Sequence, residues 1–272
     1  MEKFATIILN RNLPKITDKL CNDLRKSNKT DIFVVESGSK KNLLSKNCTW
    51  YANWPNVKKR GLRFPRGMNF GLSKLWEEGK FHKYDYFFLL ANDAEIKTNN
   101  CINKFRKIFK THPRLGILSA CASDWGENIL LKKKKLLYFW YMENHAIVLR
   151  KNFILDIINT KKPGYINFLY DGNNFRGYGT ESELIAKAYS NFWGAAITSD
   201  VRIDENESYL IKKSNLIKTE PYNENLKLYI KEGMNWMEKK YGFKSKWSMQ
   251  MYVKTFYDKF FEYYPKYNKF KI

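Results

Sequence analysis

Residues 86–96 read YFFLLANDAEI, an apolar run that stops abruptly in a polar turn. An uninterrupted apolar run bounded by turn residues predicts a strand buried on both faces, as in a parallel sheet covered by helices. Upstream, Phe4 to Leu9 is a short apolar run followed by Pro14, Ile16, Leu20 and Leu24 at helical spacing, with proline near the helix start. Residues 31–35, DIFVV, form a second run that ends in Glu36, Ser37, Gly38 and Ser39. Residues 67–77, GMNFGLSKLWE, carry Leu72, Leu75 and Trp76 on one helical face, with Asn69 and Gly71 at the start, where a close backbone approach is useful. Downstream, Ile102, Phe105, Ile108 and Phe109 mark another helix, and Leu115 to Ala120 another strand. This repeated β-then-α pattern predicts an α/β, Rossmann-like fold, an open and mostly parallel sheet flanked by helices. Ligands of such sheets collect beyond the carboxyl ends of the strands, where Glu36 and Asp93 both fall.

Composition narrows the class. A chain of 272 residues with 44% hydrophobic content can bury one large core or two small ones, which excludes disorder throughout. Lys and Arg number 49 against 27 Asp and Glu, a formal charge of +22. That excess favours polyanionic or anionic-membrane partners and says nothing of fold. It is mostly lysine spread along the chain, with its densest run at Lys132 to Lys135. Four dispersed cysteines without a Cys-x-x-Cys pair indicate neither a zinc ribbon nor a disulfide scaffold, so a reduced, cytoplasmic compartment fits. No stretch has the apolar length to cross a bilayer and no signal peptide is recognisable, so membrane attachment is expected to be peripheral, at an inner face.

Residues 123–144 mix charge, aromatics and glycine, and read as a loop region or a pair of edge strands before the strand-like Ala146 to Leu149. Residues 177–192, GYGTESELIAKAYSNF, place Glu181 and Glu183 at the start of a helix whose Leu184, Ile185, Ala188 and Tyr189 can pack on the sheet, with Thr180 or Ser182 as caps. Carboxylates are favoured at a helix N-terminus with or without catalysis. Beyond residue 208 lysine, asparagine and tyrosine dominate. Residues 231–272 hold ten lysines and four acidic residues interleaved with aromatics such as Trp236, Trp247, Tyr257 and Phe260. This pattern suits either a surface-attachment segment or an aromatic face docked on the core. The expected organisation is a domain over 1–209 and a basic, helical extension over 210–272.

Several chemistries fall behind. There is no Walker A sequence, no dinucleotide glycine fingerprint and no serine or cysteine nucleophile element, and His82, His112 and His145 lack zincin spacing. His145 reads as a structural residue or an edge of an acceptor site. Asp93 reads as a metal ligand or as an exposed turn carboxylate.

The ordered set TIILNRN (6–12), VVESGS (34–39), GMNFG (67–71), FLLANDAEI (88–96), HAIVLRKNF (145–153) and GYGTESELIAKAYSNFW (177–193) resembles the second sequence family of glycosyltransferases, which have the GT-A fold. The resemblance spans about 200 residues, the length of one such domain. It implies nucleotide contacts at Asn10, Glu36, Ser37, Asn69, Asn92 and Asp93, with Glu36 where the family usually has aspartate. It implies a Mn2+ or Mg2+ ligand at Asp93, with Glu95 compensating for Ala91, which stands where a first ligand occurs. The family's later metal-binding histidine is missing from ITSDVRIDENESY, where Asp200 or Asp204 is available. Glu181, with Glu183 as runner-up, is the implied general base for direct displacement with inversion. Gly177 and Gly179 would form a rim, and Arg176 or Arg202 would meet phosphate.

The implied activity is hexosyl transfer from a nucleotide-diphosphate sugar, UDP-linked, to a hydroxyl of a glycan or glycolipid in polysaccharide biosynthesis, with contact to an anionic membrane. Two rivals remain: a noncatalytic GT-A-like basic module binding nucleic acid or anionic membrane, and a glycosyltransferase acting on modified DNA bases. With no recognised nucleic-acid module, nucleic acid is the less favoured partner.

Overall fold

A computed structural model describes residues 2–27, 29–123, 126–131, 134–158, 163–217 and 220–272. The apolar runs become strands β1 (Phe4–Asn10), β2 (Asp31–Ser37), β3 (Cys48–Ala52), β4 (Tyr86–Ala91), β5 (Ala94–Ile96), β6 (Leu115–Cys121), β7 (Leu136–Tyr138), β8 (Ala146–Arg150) and β9 (Gly194–Glu205). They form one nine-stranded sheet in the order β3, β2, β1, β4, β8, β6, β9, β5, with β7 also on β9. The helices are α1 (Pro14–Ser27), α2 (Pro55–Arg60), α3 (Arg63–Glu77), α4 (Cys101–Thr111), α5 (Glu127–Leu130), α6 (Lys151–Ile157), α7 (Thr180–Ser190), α8 (Glu207–Lys212), α9 (Ser214–Ile217), α10 (Tyr222–Tyr241) and α11 (Lys246–Tyr263).

The sheet is mixed, which corrects the expectation of a mostly parallel one. β1 pairs parallel with β2 and β4, β2 with β3, and β6 with β9. β8 runs antiparallel between β4 and β6, and β5 and β7 run antiparallel to β9. A parallel neighbour requires the chain to cross back to the end where the previous strand began. After β6 the chain instead runs back only a few residues as β7 and returns to the carboxyl end, where residues 141–145 line a cleft, and β8 starts from there. The segment 123–144 supplies only α5 and the short β7 among its described residues. Of its lysine run, Lys132 and Lys133 lie outside the described residues, and Lys134 and Lys135 are exposed.

Close packing explains GMNFG. A Cβ at Gly67 would stand 2.4 Å from Leu9 Cδ1, and one at Gly71 2.7 Å from Ile7 Cγ2. Only hydrogen at these positions lets α3 lie directly on β1. This contact holds the carboxyl end of β1 against the start of α3.

The C-terminal helices dock through their aromatics. Tyr257, Phe260 and Phe261 of α11 are buried with Tyr138 and Tyr189 in the main core, while Trp247 stays 67% exposed. Trp236, Met237 and Met249 form a second small core between α10 and α11. Burial pushes the Cys21 thiol up to about 11. Among the described residues no helix is long and apolar enough to cross a membrane.

Candidate active site

The carboxyl ends of the central strands open onto a cleft of about 590 Å³. Asn10, Ser37, Asn92, Asp93 and Glu181 line it, together with Glu143, His145 and Glu205. Glu36, Asn69, Glu95 and Glu183 do not.

The buried polar residues at the carboxyl ends of β1 and β2 hold the frame. Glu36 is fully buried and accepts from Asn10 Nδ2 at 3.0 Å, Ser39 Oγ at 2.5 Å and the Ser45 amide at 2.7 Å. Asn10 Oδ1 in turn accepts from Asn92 Nδ2 at 3.0 Å, which ties β1 to the turn after β4. Asn69 donates to the Tyr165 and Tyr170 carbonyls and accepts from the Leu169 and Tyr170 amides. All four of its hydrogen-bonding valences are thereby used inside the protein, and it staples residues 165–170 to α3. Ser37 accepts the Leu62 amide at 2.6 Å.

Potential metal ligands converge where β5 meets β9. Pairing of Ala94 with Glu205 brings the residue after Asp93 alongside the end of β9. The Asp93 carbonyl accepts the Asn206 amide at 2.9 Å. Glu143, His145 and Glu205 offer ligand atoms that all lie within 4.8 Å of one another, a potential metal-coordinating cluster. The tautomer supports this. His145 Nε2 is 3.0 Å from the Ile203 carbonyl, an acceptor only, so Nε2 carries a hydrogen. That leaves buried Nδ1 aimed at Glu143 Oε2 (3.4 Å) and Glu205 Oε1 (3.9 Å), both long for a hydrogen bond. A histidine fixed by a second-nitrogen bond to a backbone carbonyl beside two carboxylates suits a divalent cation.

Burial works against protonation of His145, but the nearby Glu143 and Glu205 carboxylates and the bond to the Ile203 carbonyl outweigh it and raise the ring from 6.5 to about 9. A raised folded-state value means that, without metal, the ring contributes stability in full below about pH 6.5, and this is lost as pH rises through about 9. Denaturant melts of metal-free protein across that window are expected to show the loss, and His145→Gln to flatten it. An unchanged profile in the variant would contradict the assignment.

Glu95 lies elsewhere. It pairs with Lys97 at 2.6 Å, accepts from Asn206 Nδ2 at 2.7 Å and is 42% exposed. Asp204 accepts from the Ser123 amide, Asp200 sits 3.7 Å from Lys135, and Arg202 donates to the Ala122 carbonyl. None of the three lines the cleft.

The two carboxylates opening α7 separate, because residues two apart on a helix point about 200° away from each other. Glu181, 7% exposed, faces the cleft with Lys246 Nζ at 3.0 Å. Lys246 also lies over the rings of Tyr141 at 5.0 Å and Tyr178 at 4.7 Å. Burial lowers its pKa, but Glu181 and these tyrosines more than offset that, so the ammonium is held charged. Glu183 points the other way, to Lys240 at 2.7 Å and Tyr241 Oη at 2.5 Å, and fastens α10 to α7. Glu183→Ala is expected to lower stability by about 2 kcal/mol, less than a fully isolated buried charge would cost. The remaining Lys240 keeps its 2.6 Å pair with Asp171, which accounts for the smaller figure. Chemical denaturation reads the change, and an unchanged midpoint would contradict it.

This cluster was missed from the sequence, where Glu143 is not singled out and His145 reads as a structural or acceptor-edge residue, although the i, i+2 spacing of the two just before β8 is a weak local signal. Its third member is sixty residues away on β9 and has no local signal. Gly177 adopts φ +92° at the cleft wall, where a Cβ would meet Pro65 Cγ at 2.8 Å.

No protein-family model and no curated protein matches the sequence. Solved structures do. The chain is similar to TarS of S. aureus, with TM-score 0.52 and 13% identity over 88% of this chain and 46% of that one. It is also similar to GalNAc-T7, solved with UDP, GalNAc and Mn2+, with TM-score 0.56 and 11% identity over 99% of this chain and 58% of that one. The fold is GT-A-like. The likeness is one of fold, broader than the second family that the motifs resemble, and the chain spans about half the length of each of these two structures.

Proposed function

We propose that this chain is a metal-dependent glycosyltransferase that moves a sugar from a nucleoside-diphosphate sugar, UDP-linked, to an acceptor hydroxyl with inversion. One observation carries the reading: Asp93, the Glu143, His145 and Glu205 cluster, and Glu181 all border the same 590 Å³ cleft at the carboxyl edge of the sheet. A cleft of that size suits a small-molecule ligand. The fold likeness to GalNAc-T7, whose crystals contain UDP, GalNAc and Mn2+, supports the same donor chemistry.

Asp93 and the three-residue cluster are the groups that would hold Mn2+ or Mg2+. The bound cation would screen charge building on the departing diphosphate. Glu181 is the general base. The acceptor oxygen forms a bond to the anomeric carbon as the bond to the diphosphate oxygen breaks. The hydroxyl proton passes to Glu181, and the bonding electron pair leaves with the nucleotide. Lys246 fixes the orientation of the Glu181 carboxylate, and Asn10 with Asn92 fixes the turn that carries Asp93.

The test is nucleotide release in the presence of a UDP-, GDP- or TDP-sugar, Mn2+ and a set of glycan and glycolipid acceptors. Acceptor-dependent release from one donor class, abolished by chelator, is expected. No release from any donor by folded protein would contradict the reading.

A further inference from the structure

Arginine is scarce in this chain, ten residues against 39 lysines, yet its placement is concentrated. Four of the ten surround one buried ring at the cleft rim: Arg60, Arg63, Arg66 and Arg176 lie 4.3, 5.7, 4.8 and 5.7 Å from the centroid of Phe175. Lysine would supply the same charge, so the choice of arginine points to planar, forked hydrogen bonding of an oxyanion.

The cluster is short of negative charge. Glu220 gives one carboxylate oxygen to Arg176 at 2.6 Å and the other to Arg63 at 3.2 Å, and Glu232 pairs with Arg176. Arg60 and Arg66 have no carboxylate within ion-pair distance among the described residues. Two carboxylates therefore serve four guanidinium groups. Arg63 Nε is buried without a hydrogen-bond partner, and its backbone holds φ +60°, a left-handed conformation that costs energy for a residue other than glycine. Burial and the neighbouring Arg176 also bring the Arg63 guanidinium down to about 10. Arg63, Arg60, Arg176 and Glu220 all face the cleft.

We propose that Arg60, Arg63 and Arg176, with Arg66 adding charge behind them, form an oxyanion subsite for a phosphate-bearing acceptor, which the Glu220 carboxylate fills in the absence of that acceptor. The inference rests on the transferase reading and adds a substrate class to it. With Glu220 displaced, Glu232 alone faces the four guanidinium groups, and a dianionic phosphate would offset most of the remaining positive charge. Its oxygens can replace those of Glu220 on Arg63 and Arg176 while reaching Arg60 at the open rim. The donor diphosphate is placed beside Asp93 and the Glu143, His145 and Glu205 cluster, which line the same cleft.

Calorimetric titration of the full chain with inorganic phosphate, without metal or nucleotide, tests this. Saturable binding is expected, tightened about tenfold by Glu220→Gln and weakened about tenfold by Arg63→Lys or by the exposed-site variant Arg60→Ala. In a second arm, UDP with Mn2+ is expected to bind together with phosphate and to be unaffected by Arg60→Ala. Failure of both the parent chain and Glu220→Gln to bind phosphate overturns the proposal. So does competition between phosphate and UDP with both weakened by Arg60→Ala, which would make the cluster the donor's own site. Phosphate binding without any nucleotide binding supports the anion subsite and removes the transferase reading beneath it.

Discussion

Glu181→Gln is expected to lower the turnover of sugar transfer about a thousandfold while changing metal and nucleotide affinity by no more than about twofold. Glutamine keeps the shape of the side chain and can still accept a hydrogen bond from Lys246, 3.0 Å away in the parent chain, but it cannot take the acceptor's proton. The substitution removes an interaction made in the transition state and leaves ground-state binding intact. Steady-state kinetics under saturating donor, paired with calorimetric donor binding, separates the two. Glu183→Gln is the control, because that side chain is occupied by Lys240 and Tyr241 outside the cleft. Activity within tenfold of the parent in Glu181→Gln, or a larger loss in Glu183→Gln than in Glu181→Gln with both folded, would remove the assignment of the base.

The second large effect concerns the metal. His145→Gln and Glu205→Gln are each expected to weaken Mn2+ binding at least about a hundredfold, the upper end of what even supporting residues around a metal contribute. The Ile203 carbonyl fixes the hydrogen on Nε2, so Nδ1 is the nitrogen presented to a cation between two carboxylates. Binding exchanges a proton for the metal, so affinity is expected to rise with pH up to about 9 and to level off above it. Titration followed by the electron paramagnetic resonance signal of free Mn2+ measures all three. Unchanged affinity in His145→Gln together with loss in Glu95→Gln would move the metal to the outer side of the β5–β9 ribbon.

The fold was legible where local pattern and tertiary role coincide. The runs at 4–9, 86–90 and 115–120 are apolar because each becomes a strand buried between layers, and 31–35 buries Val34 and Val35 in the same core, so periodicity reports burial. Strand direction carries no such trace. Nothing in AIVLR distinguishes a strand that runs with its neighbours from one that runs against them, so β8 and the mixed sheet became visible only in three dimensions.

The site divides in the same way. Glu181 and Asp93 sit at element ends that motif order picks out, and both line the cleft. Glu36 and Asn69 carry the right chemistry at the right ends of elements, yet their partners turn inward and consume it. Register places Glu205, and not Glu95, at the cleft. Pairing sets Glu95 opposite Asp204, on Lys97 and Asn206, and leaves Glu205 on the cleft side. A one-residue change of pairing reverses which side chain faces a site, and sequence spacing contains no information about it.

The most direct measurement is calorimetric titration of UDP into the full chain with Mn2+, repeated with chelator and with Asp93→Ala. Saturable binding that is lost with chelator and weakened at least about tenfold by Asp93→Ala is the expected result. Folded protein that binds no UDP in the presence of Mn2+, or binds it equally well with chelator and in Asp93→Ala, would contradict a metal-dependent nucleotide-sugar site in this cleft.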